Sequence, residues 1–429
     1  DHCTPAWGGV YTLGQAASHL DLDRRLSQLR LVGGEARVSF GGEAGNELAA
    51  ACTDPAALRD AYRAVIDRYS LTSIDLDLEG PSLADPAPAA RRASAIREIQ
   101  DQMRTAGRKL AVWLTLPVSP TGLTDAGRSV LEGMLAAGVD LAGVNGMTMD
   151  FGVNSTPAKP LSGTVIAAST ALHTQVGAAF GQAGQTLDDG QAWARTGIIP
   201  MIGQNDTAFE QFTLTDAAAV NQFARARGVG QLSIWSLNRD STCGPPLPTA
   251  LRVVQTSCSG IDQGAEHFAN VLAANLTSPS VSPLPTPSPE RRSPTAAPVP
   301  GTIDNPAASP FPIWDPLGTY PAGTKTVWHQ QVFKARYWTT GFAPDRAVAN
   351  AKDSPWTLLG PVLPGDTPAA TPTLPAGTYP QWNATTIYVA GSRVQLGLVP
   401  YQAKWWSQKQ EPGLSIADGS PWLLLLPGT

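Results

Sequence analysis

From Ala36 onward, short runs of apolar residues alternate with longer stretches in which apolar positions recur every three or four residues. That is the pattern of strands and amphipathic helices repeating around a parallel sheet. Strands are predicted at 36–40, 73–78, 110–116, 141–149, 197–202 and 231–236. Between the first two, Asp54 is placed to cap a helix with Pro55 at its first position, and Leu58, Tyr62, Val65 and Tyr69 share one face. A second helix near 89–106 buries Ile96, Ile99 and Met103 and ends at Gly107. Thr124 and Thr215 are expected to open helices near 125–137 and 216–226, and a last helix is expected over 265–276. Six βα units of this kind fit an α/β fold of the (β/α)8 TIM type that lacks its first two strands in this chain. The competing arrangement is an open doubly wound sheet, but no Gly-rich phosphate loop follows any strand, which argues against a nucleotide site.

The apolar periodicity stops at TSPSVSPLPTPSPERRSPTAAPVP, positions 277–300, where Pro, Ser and Thr favour an extended linker. Beyond it the chain repeats itself. Trp314, Tyr320, Gly323, Phe333, Ala335, Tyr337, Trp338 and Pro355-Trp356 recur as Trp382, Tyr388, Gly391, Tyr401, Ala403, Trp405, Trp406 and Pro421-Trp422. The organisation expected is a sheet domain at 1–276, a linker at 277–310, a first module at 311–364, a short linker at 365–378 and a second module at 379–429. Each module is too small for a large core and is expected to be a three-stranded β unit.

Composition narrows the partners. The net charge is −5, 15% of residues are charged, and the basic residues form no runs, so nothing offers a polyanion a footprint and nucleic acid is not an expected partner. No apolar stretch approaches the roughly 20 residues of a membrane span. Four cysteines form two local groups, Cys3 with Cys52 and Cys243 with Cys258, without a Cys-x-x-Cys spacing. They read as two disulfides and, with the Pro/Ser/Thr linker, favour a secreted, extracellular protein. Because the chain starts at Asp1 rather than Met, removal of an upstream segment is expected.

The candidate chemistry lies on the second predicted strand, Ser73-Ile74-Asp75-Leu76-Asp77-Leu78-Glu79-Gly80. Alternation with period two puts Ile74, Leu76 and Leu78 on one side and the three carboxyls on the other. In a parallel barrel the apolar side packs under the helices, so Asp75, Asp77 and Glu79 point inward, with Glu79 nearest the C-terminal mouth. Like charges about 7 Å apart on one face repel, and burial raises at least one carboxyl toward the range of a general acid at neutral pH. A solvated edge strand and a metal site are the competing readings. The surrounding sequence lacks the Asp/Asn/Gly loop that would supply further ligands to a hard cation, and no metal or cofactor is expected.

This strand resembles the Asp-x-x-Asp-x-Asp-x-Glu motif of glycoside hydrolase family 18, the chitinases and related endoglycosidases. The resemblance continues through Ser39-Phe40-Gly41-Gly42, Met147-Thr148-Met149-Asp150 and Trp235, and covers about residues 1–275. It implies that Glu79 protonates the glycosidic oxygen, that Asp77 holds the substrate N-acetyl group during a retaining, substrate-assisted reaction, and that Asp75 supports Asp77 from beneath. Asp150 would bind near the acetyl group and Trp235 would floor the adjoining subsite; Ser39, Gly41 and Met147 would line the same face. Gln204, followed by Asn205 and Asp206 at a strand's C-terminal end, is expected to contact substrate. Three departures stand out. Thr72 replaces the first Asp of the motif, Met149 stands where many members have a Tyr, making Gln204 the candidate replacement donor, and the first two barrel strands would precede Cys3.

The repeats resemble chitin-binding modules of carbohydrate-binding families 5 and 12, most closely in Phe333-Lys334-Ala335-Arg336-Tyr337-Trp338 and Tyr401-Gln402-Ala403-Lys404-Trp405-Trp406. The resemblance implies an exposed aromatic set of Tyr320, Tyr337, Trp338, Tyr388, Trp405 and Trp406, although strand alternation would bury one ring of each adjacent pair. The expected partners are chitin and N-acetylglucosamine oligosaccharides, bound by a monomer. Two readings from other classes compete with a chitinase: a non-hydrolytic chitin-binding protein on a degenerate barrel, and an endo-β-N-acetylglucosaminidase acting on glycans. Retention of Glu79 speaks against the first, and the repeats speak against the second.

Overall fold

The computed structural model describes residues 3–153, 156, 159–207, 209–276, 304–305, 308–316, 318–368, 370–412 and 421–425. The chain divides into two units, Asp1–Leu13 with Ala36–Pro289, and Gly14–Glu35 with Glu290–Thr429. Most of the expected linker, including all of 277–303, lies outside the described residues.

In the first unit six parallel strands lie side by side in chain order: β1 (Val38–Gly41), β2 (Ser73–Asp77), β3 (Ala111–Ser119), β4 (Leu141–Met147), β5 (Thr196–Ile199) and β6 (Gln231–Leu232). A doubly wound sheet reverses its strand order at a switch point; this one never reverses, which is the winding of a β/α-barrel wall. The sheet also curves. Arg37, just before β1, donates to Gln231 on β6, and its guanidinium sits 5.3 Å from the Trp113 ring on β3, so inward side chains from the two outermost strands meet. Among the described residues no backbone ladder joins those two edges.

The crossover helices are α1 (Pro55–Arg68), α2 (Pro86–Thr105), α3 (Asp125–Ala136), α4 (Leu161–Gln182) and α5 (Leu214–Arg227). Asp54 caps α1 by accepting from the Ala57 amide at 2.7 Å, and Thr124 caps α3 through Gly127 at 3.1 Å. Two starts differ from expectation. Asp85 followed by Pro86 opens α2 three residues early. Thr213, not Thr215, opens α5, because Thr213 and Asp216 form a reciprocal capping box. Helix α4 escaped the periodicity reading because its small residues blur the contrast between faces; Leu161, Val165, Leu172 and Val176 are nevertheless buried. Leu161 and Val165 join Ile198, Ile202, Phe212, Val220 and Phe268 in one apolar cluster under β5 and the strand that follows it. The last helix is shorter than expected, Phe268–Ala273. Disulfides link Cys3 to Cys52 and Cys243 to Cys258.

In the second unit the internal repeat is a repeat of structure. The first module pairs β7 (Lys325–Trp328), β8 (Gln331–Ala335) and β9 (Trp356–Pro361) antiparallel; the second pairs β10 (Arg393–Leu396), β11 (Val399–Ala403) and β12 (Trp422–Leu424). Equivalent residues make equivalent contacts. Tyr320 meets Trp356 edge-on at 5.1 Å, as Tyr388 meets Trp422 at 5.1 Å. The Gly323 amide donates to Ala335 and the Gly391 amide to Ala403, both at 2.8 Å. Residues 14–35, expected within the sheet domain, belong instead to this unit. Helix Leu22–Leu31 lies on β9, where buried Arg24 makes a two-pronged ion pair with Asp366 at 3.0 and 3.2 Å, and Lys325 reaches Asp21 at 2.7 Å. A side chain at Gly360 would meet the Arg24 carbonyl at 2.5 Å, so the approach requires glycine there.

Candidate active site

Parallel register builds the centre of the site. Ser39 on β1 lies opposite Asp75 on β2, Gly41 opposite Asp77, Asp77 opposite Thr115 on β3, and Thr115 opposite Asn145 on β4. Buried Asp75 accepts from the Ser39 hydroxyl at 2.7 Å, the Thr115 hydroxyl at 2.8 Å and the Asn145 amide at 3.3 Å. Burial pushes its pKa up; the Ser39 and Thr115 hydrogen bonds, the Arg37 charge and Asn145 pull it back, leaving it raised. Thr115 and Asn145 were not singled out in the sequence, although each interrupts an otherwise apolar strand on its inward face. Gly41 is fixed by closeness: a Cβ there would stand 2.0 Å from the Asp77 carbonyl, and the Gly42 amide donates to that same oxygen at 3.0 Å.

Asp77 and Glu79 form a coupled pair. Asp77 is pushed up to about 7, first by burial and then by the charges of Glu79 and Asp75. Glu79 is raised as well, by burial and then by Glu43, against a hydrogen bond from Asp77 and one from the Glu43 backbone. The proton therefore belongs to the pair, held more tightly than by an isolated carboxyl and released near neutrality. One oxygen of Asp77 is buried with no hydrogen-bond partner among the described residues. Beyond the strand, Gly80 turns the chain, and the Ser82 hydroxyl bonds both the amide and the carbonyl of Glu79, fixing its backbone.

The remaining candidates separate. Asp150 is exposed past the end of β4, with its carboxylate accepting from the Thr207 amide at 3.0 Å. Burial and the Asp150 charge raise Asp206, with Arg239 opposing, and Glu43 acts on both Asp206 and Glu79. Glu43, Glu79, Asp150 and Asp206 thus share one acidic field, in which Glu43 was not foreseen. Trp235 is 56% exposed, held by backbone bonds to Pro200 and Ile202, so it is not a core residue. Met147 is half-buried, and Ser39 and Gly41 are exposed because β1 is the outermost strand.

Gln204 is not presented to a ligand. It is fully buried, its amide nitrogen donating to the Asn205 and Glu210 carbonyls at 3.0 and 3.2 Å and its oxygen accepting from Gln211 at 3.0 Å. It braces the Gly203–Gln204 and Gln211–Phe212 hairpin from inside, which removes it as a substitute for the missing Tyr hydroxyl. In the modules, Tyr320 and Tyr388 are likewise interior: each sits in its module's apolar cluster with its hydroxyl bonded to nearby backbone. The adjacent pairs Tyr337-Trp338 and Trp405-Trp406 are exposed at both members, Trp338 by 60% and Trp406 by 58%. Alternation does not bury one of each because β8 ends at Ala335 and β11 at Ala403, and the rings lie on the bends that follow.

The parallel sheet of the first unit has chitinase catalytic domains among its structural relatives. The chain is similar to the catalytic domain of a hyperthermophilic chitinase from Pyrococcus furiosus, at 29% identity and a TM-score of 0.52, covering 63% of this chain and 80% of that one. It is 36% identical over 251 residues to a probable bifunctional chitinase/lysozyme of Escherichia coli, 57% of this chain and 27% of that protein. It is also 36% identical over 239 residues to endochitinase 11 of Metarhizium anisopliae, 54% of this chain and 44% of that protein. The chain therefore spans less than half the length of these curated relatives. No family model matches it.

Proposed function

We propose that the chain is a glycoside hydrolase that cleaves β-1,4 linkages between N-acetylglucosamine units. The observation that carries this reading is the line of Asp75 and Asp77 on β2 and Glu79 just past its end, in a parallel sheet, with burial raising all three carboxyls. Glu79, just past the strand's C-terminal end, gives its proton to the glycosidic oxygen as the bond to the anomeric carbon breaks. The substrate's own acetyl oxygen attacks that carbon from the opposite face, forming an oxazolinium ion. Asp77 then carries the negative charge, and its unpartnered oxygen is suited to accept the acetamido N–H. Asp75, held by Ser39, Thr115 and Asn145, fixes Asp77 from below. Water, deprotonated by Glu79, then bonds to the anomeric carbon as the bond from that carbon to the acetyl oxygen breaks, and configuration is retained.

Trp235 offers an exposed flat face for a sugar in the same unit as the acids, and the pairs Tyr337-Trp338 and Trp405-Trp406 offer the same chemistry in the modules. Two weak surfaces in one chain gain avidity on an insoluble polymer such as chitin. Two disulfides support an extracellular site of action. The test is sugar release from an N-acetylglucosamine hexamer by the full chain and by Glu79→Gln. The reading requires cleavage by the first, with loss of about a thousandfold or more in the variant and binding retained; equal rates in the two would end it.

A further inference from the structure

Four consecutive amides just past β4 donate to side chains rather than to a helix or a strand ladder. The Asp150 amide donates to the Asn205 side-chain oxygen at 3.3 Å. The next three donate to a single carboxylate: Phe151 to one oxygen of Glu210 at 3.1 Å, and Gly152 and Val153 to the other at 3.1 and 3.3 Å. Asp150 and Gly152 both have positive φ, 51° and 74°, which turns the successive N–H groups toward one point. Such a curl of amides is an anion-binding concavity, here filled from within the chain.

Glu210 is fully buried and carries no solvent-facing oxygen. Burial raises its pKa; the bonds from Phe151, Val153 and Gly152 pull it back and the Asp150 charge adds to the rise, leaving it raised. An acid so placed is costly unless it is fully satisfied by donors, and its donors are the amides next to Asp150. The bond is reciprocal across the two segments: the Asp150 carboxylate accepts from Thr207, in the same hairpin that supplies Asn205 and Glu210. The Glu210 backbone is held in turn, its carbonyl accepting from the Asn205 amide at 2.9 Å.

We infer that Glu210 is a positioning residue whose carboxylate fixes the 150–153 turn and so aims Asp150 at the substrate. The inference rests on the proposed hydrolase reading for its consequence, though not for its geometry. Glutamine has the same shape but offers one acceptor and one donor, and its NH2 group would oppose an amide that Glu210 now accepts. The turn then loses at least one of its three bonds, and Asp150 moves by a fraction of an ångström to an ångström, a displacement that costs about 10- to 100-fold in rate.

The experiment uses the full chain and compares Glu210→Gln, Asp150→Asn, the double variant and Gly152→Ala. Alanine at 152 meets nothing within 4 Å but disfavours the positive φ, so it disturbs the turn without touching Glu210. Two readouts are taken: kcat and KM on an N-acetylglucosamine hexamer, and hydrogen exchange at the Phe151, Gly152 and Val153 amides. Glu210→Gln and Gly152→Ala are each expected to lower kcat about 10- to 100-fold with KM little changed and to speed exchange at those amides. Adding Glu210→Gln to Asp150→Asn should cost almost nothing more. Independent, multiplying losses would overturn the inference, as would unchanged exchange in Glu210→Gln. If the unmodified chain cleaves nothing, the exchange readout still decides whether the clamp exists, and the hydrolase reading alone has failed. If Glu210→Gln does not fold, a chain carrying Gly152→Ala together with Asp150→Asn, compared with each alone, decides by the same non-additivity.

Discussion

Replacing Asp77 with Asn is expected to make the sheet unit more stable at neutral pH while destroying its chemistry. The folded site lifts the Asp77 carboxyl from 3.8 to about 7, mainly through burial and then through Glu79 and Asp75. Over that interval the folded state holds a proton that the unfolded state has released, so stability is full below about pH 4 and is lost as pH rises through about 7. A difference of that size corresponds to about 4 kcal/mol at most. Asp77 is only partly buried, and solvent screening brings the expected figure to about 2 kcal/mol. Asn keeps the shape and never ionises, so the variant avoids that loss. In a domain of this size about 2 kcal/mol is about 4–8 °C in Tm. Calorimetry of both proteins between pH 4 and 8 should show coincident transitions at pH 4 and a variant that melts higher at pH 8. A gap of the same size at both ends would refute the reasoning, because it would mean that the Asp77 charge carries no folding cost.

Gly41→Ala is expected to lower both Tm and turnover, because the added methyl lands 2.0 Å from the Asp77 backbone carbonyl at a backbone conformation L side chains rarely adopt, and so pushes the acidic strand out of line; Tm alongside steady-state rates on a soluble hexamer would check it. Trp338→Ala with Trp406→Ala should weaken retention on insoluble chitin while leaving Tm and hydrolysis of soluble oligomers unchanged, since both rings are exposed. Trp422→Ala should instead cost about 3–5 kcal/mol and unfold the second module, because that ring is in its core; loss of the module's near-UV signal would report it. Replacing Cys243 and Cys258 together by Ser frees a loop of 15 residues and should cost about 3 kcal/mol, measured as a lower urea midpoint.

What the sequence revealed and what it concealed follow a physical division. Alternation fixes which way strand residues point, so all six strands and the shared face of Asp75 and Asp77 were legible, while Glu79, past the end of β2, stays beside Asp77 through a side-chain hydrogen bond. Alternation applies only while the strand lasts. It therefore does not govern Tyr337-Trp338 and Trp405-Trp406, where β8 and β11 have already ended and both rings of each pair face out, as the expected exposed set had them. Gln204 and the two module tyrosines carry polar groups that suit a ligand as well as they suit a turn. Only the folded hairpin and the short reach to the Asp315 and Asn383 backbone show that the protein itself occupies them. Thr115 and Asn145 left a readable mark, a lone polar residue in each apolar strand. Glu210 left none, because its partners lie 57–59 positions away and are backbone amides, which every sequence has. The seating of helix Leu22–Leu31 on β9 was equally hidden, since Arg24 meets Asp366 across 342 positions of chain.

The central claim, acid chemistry by Glu79 through the substrate's own acetyl group, is tested most directly by proton NMR of an N-acetylglucosamine hexamer during the first minutes of cleavage by the full chain. The account predicts that newly formed reducing ends appear as the β anomer and drift to equilibrium afterwards. Initial release of the α anomer, or no release at all, would contradict it.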